Sequence, residues 1–236
     1  MEIKTAMVLA AGLGTRMRPL TDDRPKALVE VAGRTLIDHV LDRLIAAGVT
    51  RAVVNVHAHA DRLEAHLKTR SDIEIIISDE RDDLLETGGG VVKALPHLGL
   101  DPFFCANIDS IWIEHTPALA QLTAGFRPDR MDAFLLLADK TQSLGYDGAG
   151  DFDRAPDGQI AFRTHAAAPY VYTGFQILDP SLFQDAPVAK GSLRPFWQQA
   201  VARQRIYGTV LDGFWMHVGD PEARAAAETR WLDAVC

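Results

Sequence analysis

The chain has 236 residues, 47% of them apolar and 24% charged, with a formal net charge of −8. This length suits one large domain or two small ones with a substantial core. The acidic balance excludes a broad nucleic-acid or anionic-membrane surface, but not a local basic pocket for a nucleotide.

In chain order, Thr5–Ala10 reads as a buried strand that ends in the turn Gly12-Leu13-Gly14. Leu36–Ala47 has helical spacing at Leu36, Ile37, Val40, Leu41, Leu44 and Ile45. Arg51–Val56 is a strand, Ala60–Thr69 a polar-faced helix and Ile73–Ser78 a strand. Gly88–Leu98 reads as a helix opened by glycines, and Pro102–Ala106 as a strand running into Asn107-Ile108-Asp109. Pro117–Ala124 is helical and Asp132–Ala138 a strand. Strands alternating with helices predict a Rossmann-like α/β fold, a mostly parallel sheet with helices on both faces. Ligands of such sheets bind beyond the carboxyl ends of the strands, so Gly12, Asp79 and Asn107 should line one rim.

The second half is less regular. Residues 147–152 and 156–159 read as strand ends around a turn. Tyr170–Leu178 is a strand, and Ser192–Arg203 and Asp220–Trp231 are helices. Asp220-Pro221 places an N-cap before a proline at the first helical position. No repeat or linker interrupts the chain. One domain over 1–236 is expected, with a regular half near 1–115 and a less regular half near 116–236.

No basic-then-apolar segment opens the chain, and no apolar run approaches spanning length. The expected setting is the reducing cytoplasm, with no membrane partner. Cys105 and Cys236 cannot build a disulfide framework or a zinc cluster, and Cys105 reads as a small buried hydrophobe. His57 and His59 lack a third ligand and read as loop histidines. The run Asp79-Glu80-Arg81-Asp82-Asp83 reads as a solvated loop.

The chemistry concentrates between Met7 and Leu28. Glycines let backbone approach a ligand closely, and the exposed amides of such a turn form an anion-binding concavity. Arg16 and Lys26 follow, one a fork and one a point charge for phosphate, and both are expected to be exposed. The spacing is neither a G-x-x-x-x-G-K-[ST] loop nor a complete dinucleotide fingerprint. The three glycines of Leu85-Glu86-Thr87-Gly88-Gly89-Gly90 fit either a tight strand-to-helix connection or a flat base lying on exposed backbone.

The full string Leu9-Ala10-Ala11-Gly12-x-Gly14-Thr15-Arg16-x-x-Pro19-Leu20-Thr21, then Pro25-Lys26-x-Leu28, closely resembles the signature of the sugar-1-phosphate nucleotidylyltransferases. The resemblance implies a nucleoside triphosphate and a sugar 1-phosphate as partners, Mg²⁺ as cofactor, and a monomer or small homo-oligomer. It implies that Arg16, Lys26 and Asp109 are catalytic, with Asp109 the principal metal ligand. It implies nucleotide contacts from Leu9, Ala10, Ala11, Gly12, Gly14, Thr15, Gly88 and Gly89. Sugar contacts would come from Asn107, Gly148, Tyr172, Thr173 and Gly174, with Lys190 near the sugar phosphate or simply solvated.

Where the family commonly carries a second metal-binding aspartate, Trp215-Met216-His217-Val218-Gly219-Asp220 has His217. His217 could bind phosphate or metal-bound water, Asp220 could supply the missing charge, or the metal site could be weaker. The stretch Arg163–Pro169 has no carboxylate where many members carry a Glu-Lys-Pro segment. The branch resembled most is the uridylyltransferases that act on N-acetylmuramate 1-phosphate in bacterial cell-wall recycling, which implies UTP. Mannose-1-phosphate guanylyltransferases using GTP are similar in the first motif. A nucleotide-sugar sensor without turnover is the alternative outside the enzymes.

Overall fold

The structure is a computed structural model and describes residues 1–235, so Cys236 lies outside the described residues. In chain order the elements are β1 (Thr5–Leu9), β2 (Glu30–Val31), β3 (Arg34–Thr35), α1 (Leu36–Ala46), β4 (Arg51–Val56), α2 (Ala60–Leu67), β5 (Glu74–Asp79), α3 (Glu86–Leu98), β6 (Phe103–Asn107) and β7 (Ser110–Glu114). They continue as α4 (Ala118–Gly125), β8 (Ala133–Asp139), β9 (Ser143–Leu144), β10 (Phe152–Arg154), β11 (Ile160–Phe162), β12 (Tyr170–Leu178), α5 (Arg194–Ala202), β13 (Ile206–Val210), β14 (Gly213–His217) and α6 (Pro221–Val235).

The main sheet runs β5-β4-β1-β6-β12-β8-β13. Strands β5, β4, β1 and β6 are mutually parallel. β12 runs antiparallel to both neighbours, and β13 is parallel to β8. The β10–β11 hairpin continues beside the start of β12. The expected mostly parallel sheet is present, and helices cover both faces. Alternate residues of β1 divide between two cores: Ala6 and Val8 pack with α1, α2, α4 and α6, while Met7 packs with α3 and α5. A strand buried on both faces is apolar along most of its length, which is why β1 and the Ala52–Val54 stretch of β4 read as hydrophobic runs. Each large aliphatic side chain buried this way stabilises the fold by roughly 1.5–3 kcal/mol.

Helix α1 follows its sequence pattern closely. Thr35 caps it by accepting a hydrogen bond from the Asp38 amide, and Leu36, Ile37, Val40, Leu41 and Leu44 are fully buried. β12 has the expected bounds. Helix α3 begins two residues before the expected Gly88, because Glu86 and Thr87 already form its first turn. The strand pattern did not extend to β7, β13 and β14. The last two are five-residue segments whose pairing comes from distant partners, β8 for β13 and β7 for β14.

Two features position the site. Strand order reverses at β1: β4 and β5 lie on one side, β6 on the other. Connections therefore leave the carboxyl ends of β1 and β6 in opposite directions, which opens a crevice there. Leu9 at the end of β1 is level with Asn107 at the end of β6. The second feature is a small sheet, β7-β14-β9, in which Ser110 is opposite His217. The Val218 amide also donates to the Asp109 carbonyl (2.8 Å). This pairing carries the end of β14 to the mouth of the crevice. No described helix is long and apolar enough to cross a membrane.

Candidate active site

A cavity of about 540 Å³ occupies the crevice. Its floor is the segment from Leu9 to Arg16, so Leu9, Ala10, Ala11, Gly12, Gly14, Thr15 and Arg16 all line it as the sequence led one to expect. Lys26, Asn107 and Asp109 line it as well. Gly14 adopts the left-handed conformation (φ 63°), and a β-carbon there would lie 3.1 Å from the Lys26 β-carbon. The Thr21 hydroxyl donates to the Gly14 carbonyl (2.9 Å), which closes the turn onto the segment carrying Lys26. Glycine is the residue that permits both the backbone angle and the close approach.

The three charged groups differ in environment. Arg16 is exposed and makes no hydrogen bond or ion pair among the described residues. It is a free fork at the cavity wall. Lys26 is only 8% exposed, contrary to expectation, because the turn closes over it. Its Nζ lies 2.8 Å from Asp109 Oδ2. His217 Nε2 lies 3.4 Å from the same oxygen, and its Nδ1 is 3.1 Å from the Gly145 carbonyl. An N–H on Nδ1 donating to that carbonyl aims Nε2 at Asp109.

Burial alone would raise the Asp109 carboxyl. The hydrogen bond from His217 and the charge of Lys26 outweigh it and hold the group well below the usual carboxylate range. The hydrogen bond to Asp109 in turn raises the His217 imidazole above its ordinary value.

Asp109 offers one hard oxygen donor beside two cations that can take phosphate. That donor set fits Mg²⁺, which is commonly held by one or two carboxylates, substrate phosphates and waters. Among the described residues no cluster of three His, Cys, Asp or Glu side chains could hold a metal by itself. Asp220 does not line the cavity. Its Oδ1 accepts the Ala223 amide (2.8 Å), so it caps α6. His217 sits against Asp109 as a neighbour of any bound ion.

The structure departs from the sequence reading at the triple glycine. Gly88 and Gly89 are buried and do not line the cavity. Their amides donate to the Gly191 carbonyl at 2.7 and 3.1 Å. A β-carbon on Gly88 would collide with the Ser192 carbonyl, and one on Gly89 with the Ala189 carbonyl. These glycines let residues 189–192 lie against the helix, a partner distant in the chain rather than the strand-to-helix connection itself. Glu86, Thr87 and Ser192 reach the cavity in their place. Glu86 holds a left-handed φ of 61°.

The sugar-side residues are also placed differently. Asn107 lines the cavity, but Gly148, Tyr172, Thr173 and Gly174 do not. Thr173 is buried and its hydroxyl donates to the Leu136 carbonyl (2.9 Å). The Tyr172 hydroxyl is buried without a hydrogen-bond partner among the described residues. Gly174 (φ 95°) lets β12 pack against Asn107. Gly148 is exposed on the loop after Tyr146. Lys190 is exposed and lies 3.9 Å from Glu86.

Among the remaining readings, His57 and His59 are loop histidines: His57 Nδ1 meets the Glu80 carbonyl (2.6 Å), and His59 begins α2 in a left-handed turn. The Cys105 thiol is pushed up to about 12 by burial and is inert. The acidic run 79–83 is not wholly solvated. Arg81 pairs with Asp61, Glu64 and Asp79 at the surface, but Glu80 is 1% exposed. Asn55, a polar residue within the apolar strand β4, is 2% exposed and lines the cavity. Its signal was that interruption, since a buried amide must find partners.

The family model of the MobA-like NTP transferase domain matches residues 6–208. The chain belongs to the MobA-like NTP transferase family. Within this family it is 54% identical over 237 residues to an N-acetylmuramate alpha-1-phosphate uridylyltransferase of Caulobacter vibrioides, covering 98% of each chain. It is 37% identical to the protein of the same name from Neisseria meningitidis serogroup B, covering 91% of this chain and 92% of that one. The fold of the MobA-like chain is that of an apo UDP-glucose pyrophosphorylase, with a TM-score of 0.80 at 16% identity over 99% of this chain and 100% of that one. The chain is thus a nucleotidyltransferase in family and in fold.

Proposed function

We propose that this enzyme transfers a uridylyl group from UTP to N-acetylmuramate 1-phosphate, releasing pyrophosphate. The observation that carries the reaction type is the convergence of the glycine turn, Arg16, Lys26 and Asp109 on one cavity at the strand-order reversal. The substrate pair rests on 54% identity, over nearly the whole of both chains, to a relative named for it. Nothing in the site favours a sensor without turnover, because the phosphate-binding cations are in place.

The chemistry is a direct displacement. A phosphate oxygen of the sugar 1-phosphate, already ionised, attacks the α-phosphorus. A new P–O bond forms as the bond to pyrophosphate breaks. No general base is required, so this chain's work is positioning and charge. Gly12 and Gly14 let the triphosphate approach the backbone. Arg16, free of protein partners, takes the leaving pyrophosphate as a fork. Lys26, on the cavity floor beside Asp109, reaches the α-phosphate and the incoming sugar phosphate. Asp109 would hold Mg²⁺, which offsets the charge that builds on the phosphates. His217, whose Nε2 lies 3.4 Å from the same Oδ2, orients the Asp109 carboxylate. Asn107, level with the end of β1, faces the sugar.

We place the enzyme in the cytoplasm as a single domain, monomeric or a small homo-oligomer. Pyrophosphate release from UTP and N-acetylmuramate 1-phosphate in the presence of Mg²⁺ tests the proposal, and absence of turnover would overturn it.

A further inference from the structure

Resting on that reading, a buried hydrogen-bond network beside the cavity bears on the nucleotide site. The Asn55 side-chain oxygen accepts hydrogen bonds from the Ala10 amide (2.6 Å) and the Ala11 amide (3.2 Å). Its Nδ2 donates to Glu80 Oε1 (2.8 Å). The other carboxylate oxygen, Oε2, accepts the Leu85 amide (3.0 Å). One buried carboxylate thus ties together two walls of the cavity, the 10–11 segment after β1 and the 84–87 segment that opens α3. Glu80 has no cationic partner among the described residues, and each of its carboxylate oxygens accepts one hydrogen bond from this set.

The glycine at position 90 belongs to the same device. A β-carbon there would lie 2.9 Å from Asn55 Nδ2 and 2.9 Å from Glu80 Oε1. The third glycine of the triple therefore makes room for the Asn55–Glu80 pair, as the first two make room for residues 189–192. Consumption of the Ala10 and Ala11 amides also has a chemical consequence. The amides of Ala10 and Ala11 are therefore not free donors for a base entering this slot.

We infer that Glu80 and Asn55 are positioning residues that fix the separation of the two walls and thereby the nucleobase the enzyme accepts. Backbone groups can discriminate between bases only if the walls do not relax around a larger or differently substituted ring. A buried, fully satisfied polar pair supplies that rigidity.

The chemistry of the pair allows a test by exchange. In Glu80→Gln, one amide oxygen must serve both Asn55 Nδ2 and the Leu85 amide, so one donor is left unpaired. In Asn55→Asp, two carboxylates face each other. In the double variant Asn55→Asp/Glu80→Gln, the aspartate accepts from Ala10, Ala11 and the glutamine amide, and the glutamine oxygen accepts from Leu85. Every bond is restored with the amide and carboxylate exchanged.

Nucleotide binding is measured by titration calorimetry with UTP, CTP and GTP in the absence of sugar phosphate, so the result does not depend on turnover. KM for each substrate and kcat are measured alongside. Each single variant is expected to weaken UTP binding by about tenfold or more, the order of one lost charge-assisted hydrogen bond. UTP should lose its advantage over the other nucleotides, while KM for the sugar phosphate and kcat at saturation stay within about threefold. The double variant should recover UTP binding and selectivity. If the single variants do not fold, Gly90→Ala, which presses on the pair without deleting a polar group, should produce the same selective loss.

Unchanged nucleotide affinity and selectivity in these variants would overturn the inference. So would a double variant no better than the singles, or equal losses for both substrates. Wild-type failure to turn over any pair would instead strike the proposed reaction and leave the binding comparison intact.

Discussion

Lys26 Nζ and Asp109 Oδ2 are 2.8 Å apart across the floor of the cavity, although 83 residues separate them in the chain. In the proposed reaction Lys26 would serve phosphate and Asp109 a cation, whereas in this structure the two side chains pair with each other. Removing Lys26 should therefore have two opposite effects. Lys26→Met is expected to lower turnover by about 10²–10³-fold, the usual loss of one transition-state charge contact. It should also strengthen binding of Mn²⁺ to the nucleotide-free enzyme, because an ammonium no longer competes for Asp109. Paramagnetic resonance of free Mn²⁺ measures this; weaker binding in Lys26→Met would disprove the competition.

Arg16 differs by being exposed and unpaired. Arg16→Ala should cost about 10²–10³-fold in kcat and leave the melting temperature unchanged within error. Product inhibition by pyrophosphate should weaken in parallel, since Arg16 is assigned to the leaving group. Retention of wild-type turnover would remove that role.

The Asp109–His217 contact gives metal-free stability a dependence on pH. The hydrogen bond to Asp109 raises the imidazole above its ordinary value of 6.5, so its contribution is fully present below that pH and lost as pH rises through the folded value. The Asp109 carboxyl is lowered from 3.8, so its own contribution persists above that pH and is lost only as pH falls through the depressed value. Denaturant unfolding of the wild type and His217→Gln should show a stability gap at about pH 5.5 that closes by about pH 9. A gap independent of pH would mean that the two side chains do not share a proton-dependent bond.

Gly89 provides a stability test apart from the chemistry. A methyl group there collides with the backbone carbonyl of Ala189, which cannot rotate away. Gly89→Ala should destabilise the protein by about 1–3 kcal/mol, as overpacking does. Limited proteolysis should then cut within residues 186–193, where the displaced segment lifts. An equally stable, equally resistant variant would show that the packing is loose.

Much of this was legible in the sequence because local rules and the fold agree. The β1 apolar run, the glycine turn and the α1 spacing each carry a local signal, and these positioned the cavity floor. The Lys26–Asp109 ion pair was not legible, since position 109 reaches the floor through the β1–β6 pairing but the Gly14–Thr21 contact that closes the turn over Lys26 shows only in the fold. The triple glycine was misread for a related reason. Glycine reports that something lies close to the backbone, but not whether it is a base or residues 189–192 of the same chain. Glu80 was hidden inside a charged run whose other members are surface groups. Its burial follows from Asn55, four strand positions into an apolar segment, which needed a partner.

The reaction itself is tested most directly by steady-state pyrophosphate release with UTP, CTP, GTP and ATP, each against the 1-phosphates of N-acetylmuramate, N-acetylglucosamine, mannose and glucose, with and without Mg²⁺. The proposed function predicts the highest kcat/KM for UTP with N-acetylmuramate 1-phosphate, dependent on the metal and lost in Asp109→Asn. A higher kcat/KM for GTP with mannose 1-phosphate, or turnover that survives both metal removal and Asp109→Asn, would contradict it.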